Sequence, residues 1–269
     1  MIVADCHVHT TNSDGALTLE TLPAAARRAG VSIVAVTDHD RLHPDLPAPI
    51  SELSGVRVVH GIELRVEAGD QHLDLLGYGV ERTAALETEI ERLQQDRIDR
   101  GAAIIDRVEA HLETDLPIEA RPGIGRPHIA RAIASVTDHD VAWAFRELIG
   151  DDGPCYVSRS VPSFERGREL LDEAAAIVGL AHPLRYPDPE AALARCASLD
   201  AVERAYPYSE GYPYDESLDT DLSSVDAVIE DYSLLPTGGS DAHDETLGVA
   251  GLDRDDARRF IDAIDGSPM

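Results

Sequence analysis

Apolar runs and amphipathic stretches alternate from the first residue, and most runs stop at polar side chains suited to binding or catalysis. The opening run ends in Asp5-Cys6-His7-Val8-His9. In a strand, side chains alternate between faces, so Asp5, His7 and His9 share one face and Val8 packs behind. Residues 19–28 read as a helix with Thr18 as a candidate N-cap and Gly30 as its stop. The β-branched run 31–36 ends in Thr37-Asp38-His39-Asp40, which completes a β-α-β unit. A third strand, 56–62, ends in Gly61-Ile62-Glu63, and a fourth, 71–80, carries His72 and Asp74 on one face.

The pattern changes at residue 83. Up to residue 113 the apolar positions Leu86, Ile90, Leu93, Ile98, Ile105, Val108 and Leu112 recur at helical spacing amid charges. Two shorter helices, 127–135 and 141–149, are expected next, joined by a second Thr-Asp-His-Asp string in which Thr137 or Asp138 would cap the following helix. Alternation then resumes with a helix at 163–176, a strand at 177–181 ending in His182-Pro183, a helix at 189–197 and a strand at 201–205. Apolar runs at 227–229 and 234–235 lead to Gly238-Gly239-Ser240-Asp241-Ala242-His243, and a helix at 255–264 follows. The pattern predicts an α/β fold, a parallel barrel with its chemistry at one rim. Residues 1–80 and 158–269 would form the barrel, and 81–157 a helical insertion.

Composition narrows the setting. Hydrophobic residues make up 43% of the 269 and aromatics 4%, so Val, Ile, Leu and Ala must build the core. Cys6, Cys155 and Cys196 lack the spacing of a disulfide framework or a thiolate zinc site. No apolar stretch reaches the roughly 18 residues of a membrane span, and no secretory signal is legible, which points to a soluble cytoplasmic protein. The net charge is −28, and all 23 basic residues are Arg. Such a surface repels itself unless salt shortens the Debye length toward about 3 Å, as in a halophile. It has no basic face for duplex DNA.

At the expected rim stand His7, His9, Asp14, His39, Asp40, Glu63, His72 or Asp74, His182, Asp241 and His243. Imidazole with carboxylate and no thiolate suits Mn, Fe or Zn as a hydrolytic Lewis acid. The set exceeds the needs of one ion, so two or three ions are expected, with Glu63 as a candidate bridge. Asp5 is expected to hold an imidazole N–H from behind. His43, His60 and His111 read as ordinary core or surface residues.

The order Asp-x-His-x-His with a following Asp-Gly, Thr-Asp-His-Asp, Gly-Ile-Glu, Leu-Leu-Gly-Tyr, Gly-Arg-Pro-His-Ile-Ala, Ala-His-Pro and Gly-Ser-Asp-Ala-His resembles the PHP (polymerase and histidinol phosphatase) superfamily. The resemblance implies a distorted (β/α)7 barrel and a trinuclear metal centre that hydrolyses phosphate esters. It places His7, His9, Glu63 and Asp241 on one ion and Asp14, His39 and His243 on another. The third ion would take Glu63, His182 and a ligand from the Leu-Leu-Gly-Tyr strand. There the family's usual His is replaced by Asp74, with His72 two residues earlier as the rival.

The insertion and its flanks look like the branch containing nucleoside 3′,5′-bisphosphate phosphatases and enzymes that trim short RNA from the 5′ end. Arg126, Arg159 and Arg185 would then grip substrate phosphate. Asp40 and His128 would serve proton transfer, and a metal-bound hydroxide would attack phosphorus. The rival readings are a histidinol-phosphatase type of enzyme and a catalytically silent metal-binding or polymerase-accessory module.

The charge pattern has a direct test. The melting temperature, with metal sites saturated, is expected to rise as KCl approaches molar concentration; a flat profile would remove the halophile reading.

Overall fold

The computed structural model describes residues 1–208 and 221–266. It divides into two compact units, residues 1–87 with 162–269 and residues 88–161.

The first unit is built on one curled sheet. Its strands are β1 (Ala4–Val8), β2 (Ile33–Val36), β3 (Ile50–Leu53), β4 (Val56–Ala68), β5 (Gln71–Tyr78), β6 (Ile177–Leu180), β7 (Ala201–Ala205) and β8 (Leu235–Gly238). The order is β1-β2-β4-β5-β6-β7-β8, with β3 paired to β4. The curl brings the sheet's far edge back to its start. His9 N–H donates to Ala242 O at 3.0 Å, and Val8 bridges Ala242 in parallel just past β8.

Three strand pairings differ from the parallel expectation, because β3 runs antiparallel to β4 and β5 runs antiparallel to both β4 and β6. The cause is local. Gly69, at φ 71°, and Asp70 form a tight turn, and a turn that short can connect only antiparallel neighbours. β4 consequently runs to Ala68, well past residue 62. The sequence pattern assigned no element between residues 40 and 56, and β3 lies there.

Helices α1 (Leu22–Ala29), α5 (Phe164–Asp172), α6 (Pro189–Ala194), α7 (Ser223–Tyr232) and α8 (Arg254–Ile264) accompany the sheet. α8 shows the packing logic. Asp253 caps it through the backbone N–H groups of Asp255 and Asp256, and its periodic Ala257, Phe260, Ile261 and Ile264 enter a core with Ala4, Leu76 and Tyr78. The Tyr78 and Phe260 rings meet edge to face at 5.0 Å, a favoured aromatic geometry. α1 likewise buries Leu22, Ala25 and Ala26 against Val8, Val34 and Val58. These two cores fix the strands from behind, so that their ends present polar residues.

The second unit is helical. It contains most of α2 (Ala84–Leu112), then α3 (Arg126–Val136) and α4 (Val141–Ala144), the last continuing into a π-turn over Phe145–Ile149. Its core gathers Ile104, Val108, Ile129, Ile133, Leu148 and Cys155. The second Thr-Asp-His-Asp string does cap a helix, but through its last residue. Asp140 Oδ1 accepts the Trp143 N–H at 2.8 Å, while the Thr137 hydroxyl turns back to Ile133 O. Among the described residues, no helix is long and apolar enough to cross a membrane.

Candidate metal centre

Four strand ends, the middle of a fifth strand and one loop supply the site. His7 and His9 come from the end of β1, His39 follows β2, Glu63 sits within β4, His182 follows β6, and Asp241 and His243 follow β8. Asp14 lies on the loop after β1, which Asp38 holds by accepting from Thr10 N–H, the Thr10 and Ser13 hydroxyls and the Asn12 amide at 2.7–3.1 Å. Close backbone approach sets the geometry at β8, because a Cβ on Gly239 would stand 2.3 Å from His7 N. His182, Asp241 and Asp40 have φ values of 27°, 51° and 50°, which are costly for side-chain-bearing residues and collect where a site overrides local preference.

Three groups of ligand atoms result: His7, His9, Glu63 and Asp241; His9, Asp14, His39 and His243; and Glu63, Asp74 and His182. In the first, Glu63 Oε2 is 3.3 Å from both His7 Nε2 and His9 Nε2, and Asp241 Oδ1 is 3.4 and 3.0 Å from them. Ligands about 2.1 Å from a tetrahedral ion stand about 3.4 Å apart, so this spacing suits one divalent ion. In the second, Asp14 lies 3.5 Å from His243 Nε2 and 3.9 Å from His39 Nε2. His9 belongs to both groups through opposite ring nitrogens. A neutral imidazole has one free lone pair, so His9 can ligate in only one of them.

Unsatisfied atoms give an independent test of fit. Buried polar atoms ordinarily find partners, yet His7 Nε2, His9 Nδ1, Asp14 Oδ1 and Glu63 Oε2 are buried without a hydrogen bond, and all belong to the first two groups. Cations in the two groups would satisfy His7 Nε2, Asp14 Oδ1 and Glu63 Oε2; with His9 ligating through Nε2, its Nδ1 carries the proton and faces Asp14 Oδ1 at 3.9 Å. The electrostatics agree. Burial alone would raise the Glu63, Asp14 and Asp241 carboxyls, but neighbouring imidazoles, His39 first for Glu63 and Asp14 and His7 first for Asp241, hold all three well below the usual range. They remain ionised and ready to ligate.

His7 is oriented by a residue that sequence reading missed. Its Nδ1 faces Glu203 Oε1 and Oε2 at 3.1 and 3.2 Å, and Glu203 Oε2 also accepts the His182 N–H at 2.8 Å. Burial would lower the His7 imidazole, but the Glu203, Glu63 and Asp241 carboxylates draw it well above the ordinary value; the Nδ1 contact turns Nε2 toward the centre, where a bound ion would take the place of its proton. The available signal was a lone acid inside the apolar strand Ala201-Val202-Glu203. Asp5 does not play that part. It takes the Ser240 hydroxyl, Ser240 N–H and Gly248 N–H, and so ties β1 to the loop after β8.

The remaining expected site residues are spread more widely. Asp74 joins Glu63 and His182, whereas His72 enters none of the three groups, because it pairs across from Glu67 farther along the hairpin. Asp40 is buried and accepts the Arg65 N–H at 3.0 Å. Arg185 donates to Asp241 Oδ2 at 3.1 Å and to the Tyr206 hydroxyl, and Tyr206 donates to the same Oδ2 at 2.9 Å. Asp241 thereby keeps Oδ1 turned to the histidines. In the helical unit, Arg126 Nη1 binds Ile149 O and Asp151, and His128 Nδ1 accepts the Gly125 N–H. Arg159 lies in that unit as well.

A PHP domain model matches residues 5–120. The chain is 30% identical over 259 residues to a phosphoribosyl 1,2-cyclic phosphate 1,2-diphosphodiesterase of Eggerthella lenta, covering 90% of this chain and 94% of the relative. The chain belongs to the PHP family. It is a metal-dependent phosphoesterase. A 3′,5′-nucleoside bisphosphate phosphatase of Chromobacterium violaceum is 28% identical, with 89% of this chain and 86% of the relative covered. A 5′-3′ exoribonuclease Rnm of Salmonella typhimurium is 28% identical over 69% of this chain and 67% of its own. An amidohydrolase structure from Chromobacterium violaceum matches the family fold at a TM-score of 0.76 and 22% identity, over 97% of this chain and 96% of that one.

Glu203→Gln tests how the centre is supported. The variant loses the negative charge behind His7 and sets an NH2 donor against the His7 Nδ1–H or the His182 N–H, so metal affinity measured by competition with a chelator is expected to fall by about 10- to 100-fold with the circular dichroism unchanged. Unaltered affinity would assign Glu203 to folding alone.

Proposed function

We propose that the protein hydrolyses phosphate esters of nucleotides, a monoester of 3′,5′-bisphosphonucleotides first and the 5′-terminal diester of short RNA second. The observation that carries this reading is the adjacency of two ligand groups sharing His9 around the buried carboxylate of Glu63, in a chain whose relative over 89% of its length is a 3′,5′-nucleoside bisphosphate phosphatase. In this reading the sheet is the distorted (β/α)7 barrel, with residues 81–157 as its helical insertion. Divalent ions held by His7, His9, Glu63 and Asp241, and by Asp14, His39 and His243, would supply Lewis acidity toward the phosphate oxygens.

The chain's own groups do the rest. Tyr206 and Arg185 keep Asp241 turned inward, Glu203 holds the His7 ring, and Asp40 is the candidate to move a proton to the leaving group, with His128 as the alternative. The role proposed for Arg126 and Arg159 is to bind the second phosphate. Nε and Nη2 of Arg126 make no hydrogen bond among the described residues, leaving a donor edge for an anion. A cationic amine such as that of histidinol phosphate would be repelled there. The Eggerthella lenta relative favours a second reading, a sugar cyclic phosphate diester, and the same assay decides between them.

With manganese present, kcat/KM is expected to be highest for a 3′,5′-bisphosphonucleotide, lower for a ribose 1,2-cyclic phosphate and lowest for histidinol phosphate. Arg126→Ala removes a charge-assisted contact worth about 1.5–3 kcal/mol, so it is expected to lower the first value by roughly 10- to 150-fold and spare the last. Preference for histidinol phosphate or the cyclic diester would overturn the substrate assignment.

A further inference from the structure

Arg65 and Asp74 are direct cross-strand partners on β4 and β5, and Arg65 lies two residues beyond Glu63 on the same face. Arg65 Nη1 is 3.3 Å from Asp74 Oδ1 and 3.1 Å from Oδ2. Both ends of the pair are fixed, since Arg65 N–H donates to Asp40 and Asp74 N–H donates to the Tyr186 hydroxyl, which donates in turn to Ala181 O. The Asp74 carboxylate of the third ligand group is therefore already paired with a cation.

The comparison with Asp241 is informative. Arg185 takes only Oδ2 of Asp241 and leaves Oδ1 to the histidines, whereas one guanidinium nitrogen of Arg65 reaches both oxygens of Asp74. The atoms turned into the third group are already matched: Asp74 is paired, and His182 Nε2 meets Glu63 Oε1 at 3.1 Å, so the one unpartnered atom of His182 is its opposite ring nitrogen, Nδ1. Charge points the same way. Asp14, Asp40, Glu63, Asp74, Glu203 and Asp241 are balanced in part by Arg65 and Arg185, so two divalent ions already neutralise the cluster. A third would leave a buried excess of positive charge.

We propose that Arg65 is a built-in third cation: the centre holds two divalent ions, and the Arg65 guanidinium takes the place of an ion at Glu63, Asp74 and His182. This goes beyond the substrate assignment and does not depend on it, because ion number is measured without substrate.

The test is equilibrium titration of the chelator-stripped full chain with manganese in molar KCl, following free Mn(II) by electron paramagnetic resonance. The wild type and Asp74→Asn are expected to take up two tight ions each, and Arg65→Met three, while Arg65→Lys keeps two. Three tight ions in the wild type, falling to two in Asp74→Asn, would overturn the proposal, as would a folded Arg65→Met that still takes two. If Arg65→Met does not fold, the wild type and Asp74→Asn decide: two in both supports the assignment, and three falling to two refutes it.

Discussion

Glu63 is the carboxylate around which the centre is arranged. It is buried, and imidazole nitrogens of His39, His182, His7 and His9 approach its two oxygens at 2.8, 3.1, 3.3 and 3.3 Å. Burying such a group costs several kcal/mol unless charge and hydrogen bonds compensate. The fold accepts that cost because its strands end together. β1, β2, β6 and β8 each deliver a ligand where the backbone leaves the sheet, and β4 places Glu63 among them. The left-handed backbone at His182 and Asp241 shows local conformation yielding to the same demand.

Around that carboxylate, side chains with no ligand role fix the ligands' direction. Glu203 turns His7, Tyr206 and Arg185 turn Asp241, and Asp38 closes the loop that carries Asp14. Each contact determines which atom of a ligand faces inward. Because an imidazole offers one lone pair and a carboxylate two oxygens, that direction determines how many ions the centre can hold.

Much of this was legible before the structure. The alternation in Asp5-Cys6-His7-Val8-His9, the Gly-Ile-Glu strand and the Gly-Ser-Asp-Ala-His end each encode a ligand at a fixed register, because side-chain direction in a strand follows residue parity. Pair contacts between distant strands follow no such local rule. The sequence alone assigned no role to Glu203 or Arg65, and only strand pairing places one behind His7 and the other on Asp74. Asp5 shares a face with His7, yet the close approach of Gly239 and Ser240 claims its carboxylate for the backbone. The reversal of β5 was hidden because a β-rich pattern carries no direction. Its clue was the Gly69-Asp70 turn, too short for a parallel crossover.

The central claim is that side chains from separate strand ends form adjoining divalent-ion sites around Glu63. Anomalous diffraction from crystals grown with manganese tests it most directly. The account predicts one peak enclosed by His7, His9, Glu63 and Asp241 and a second among Asp14, His39 and His243. A map with no peak at the first of these positions, from protein that retains its fold, would contradict it.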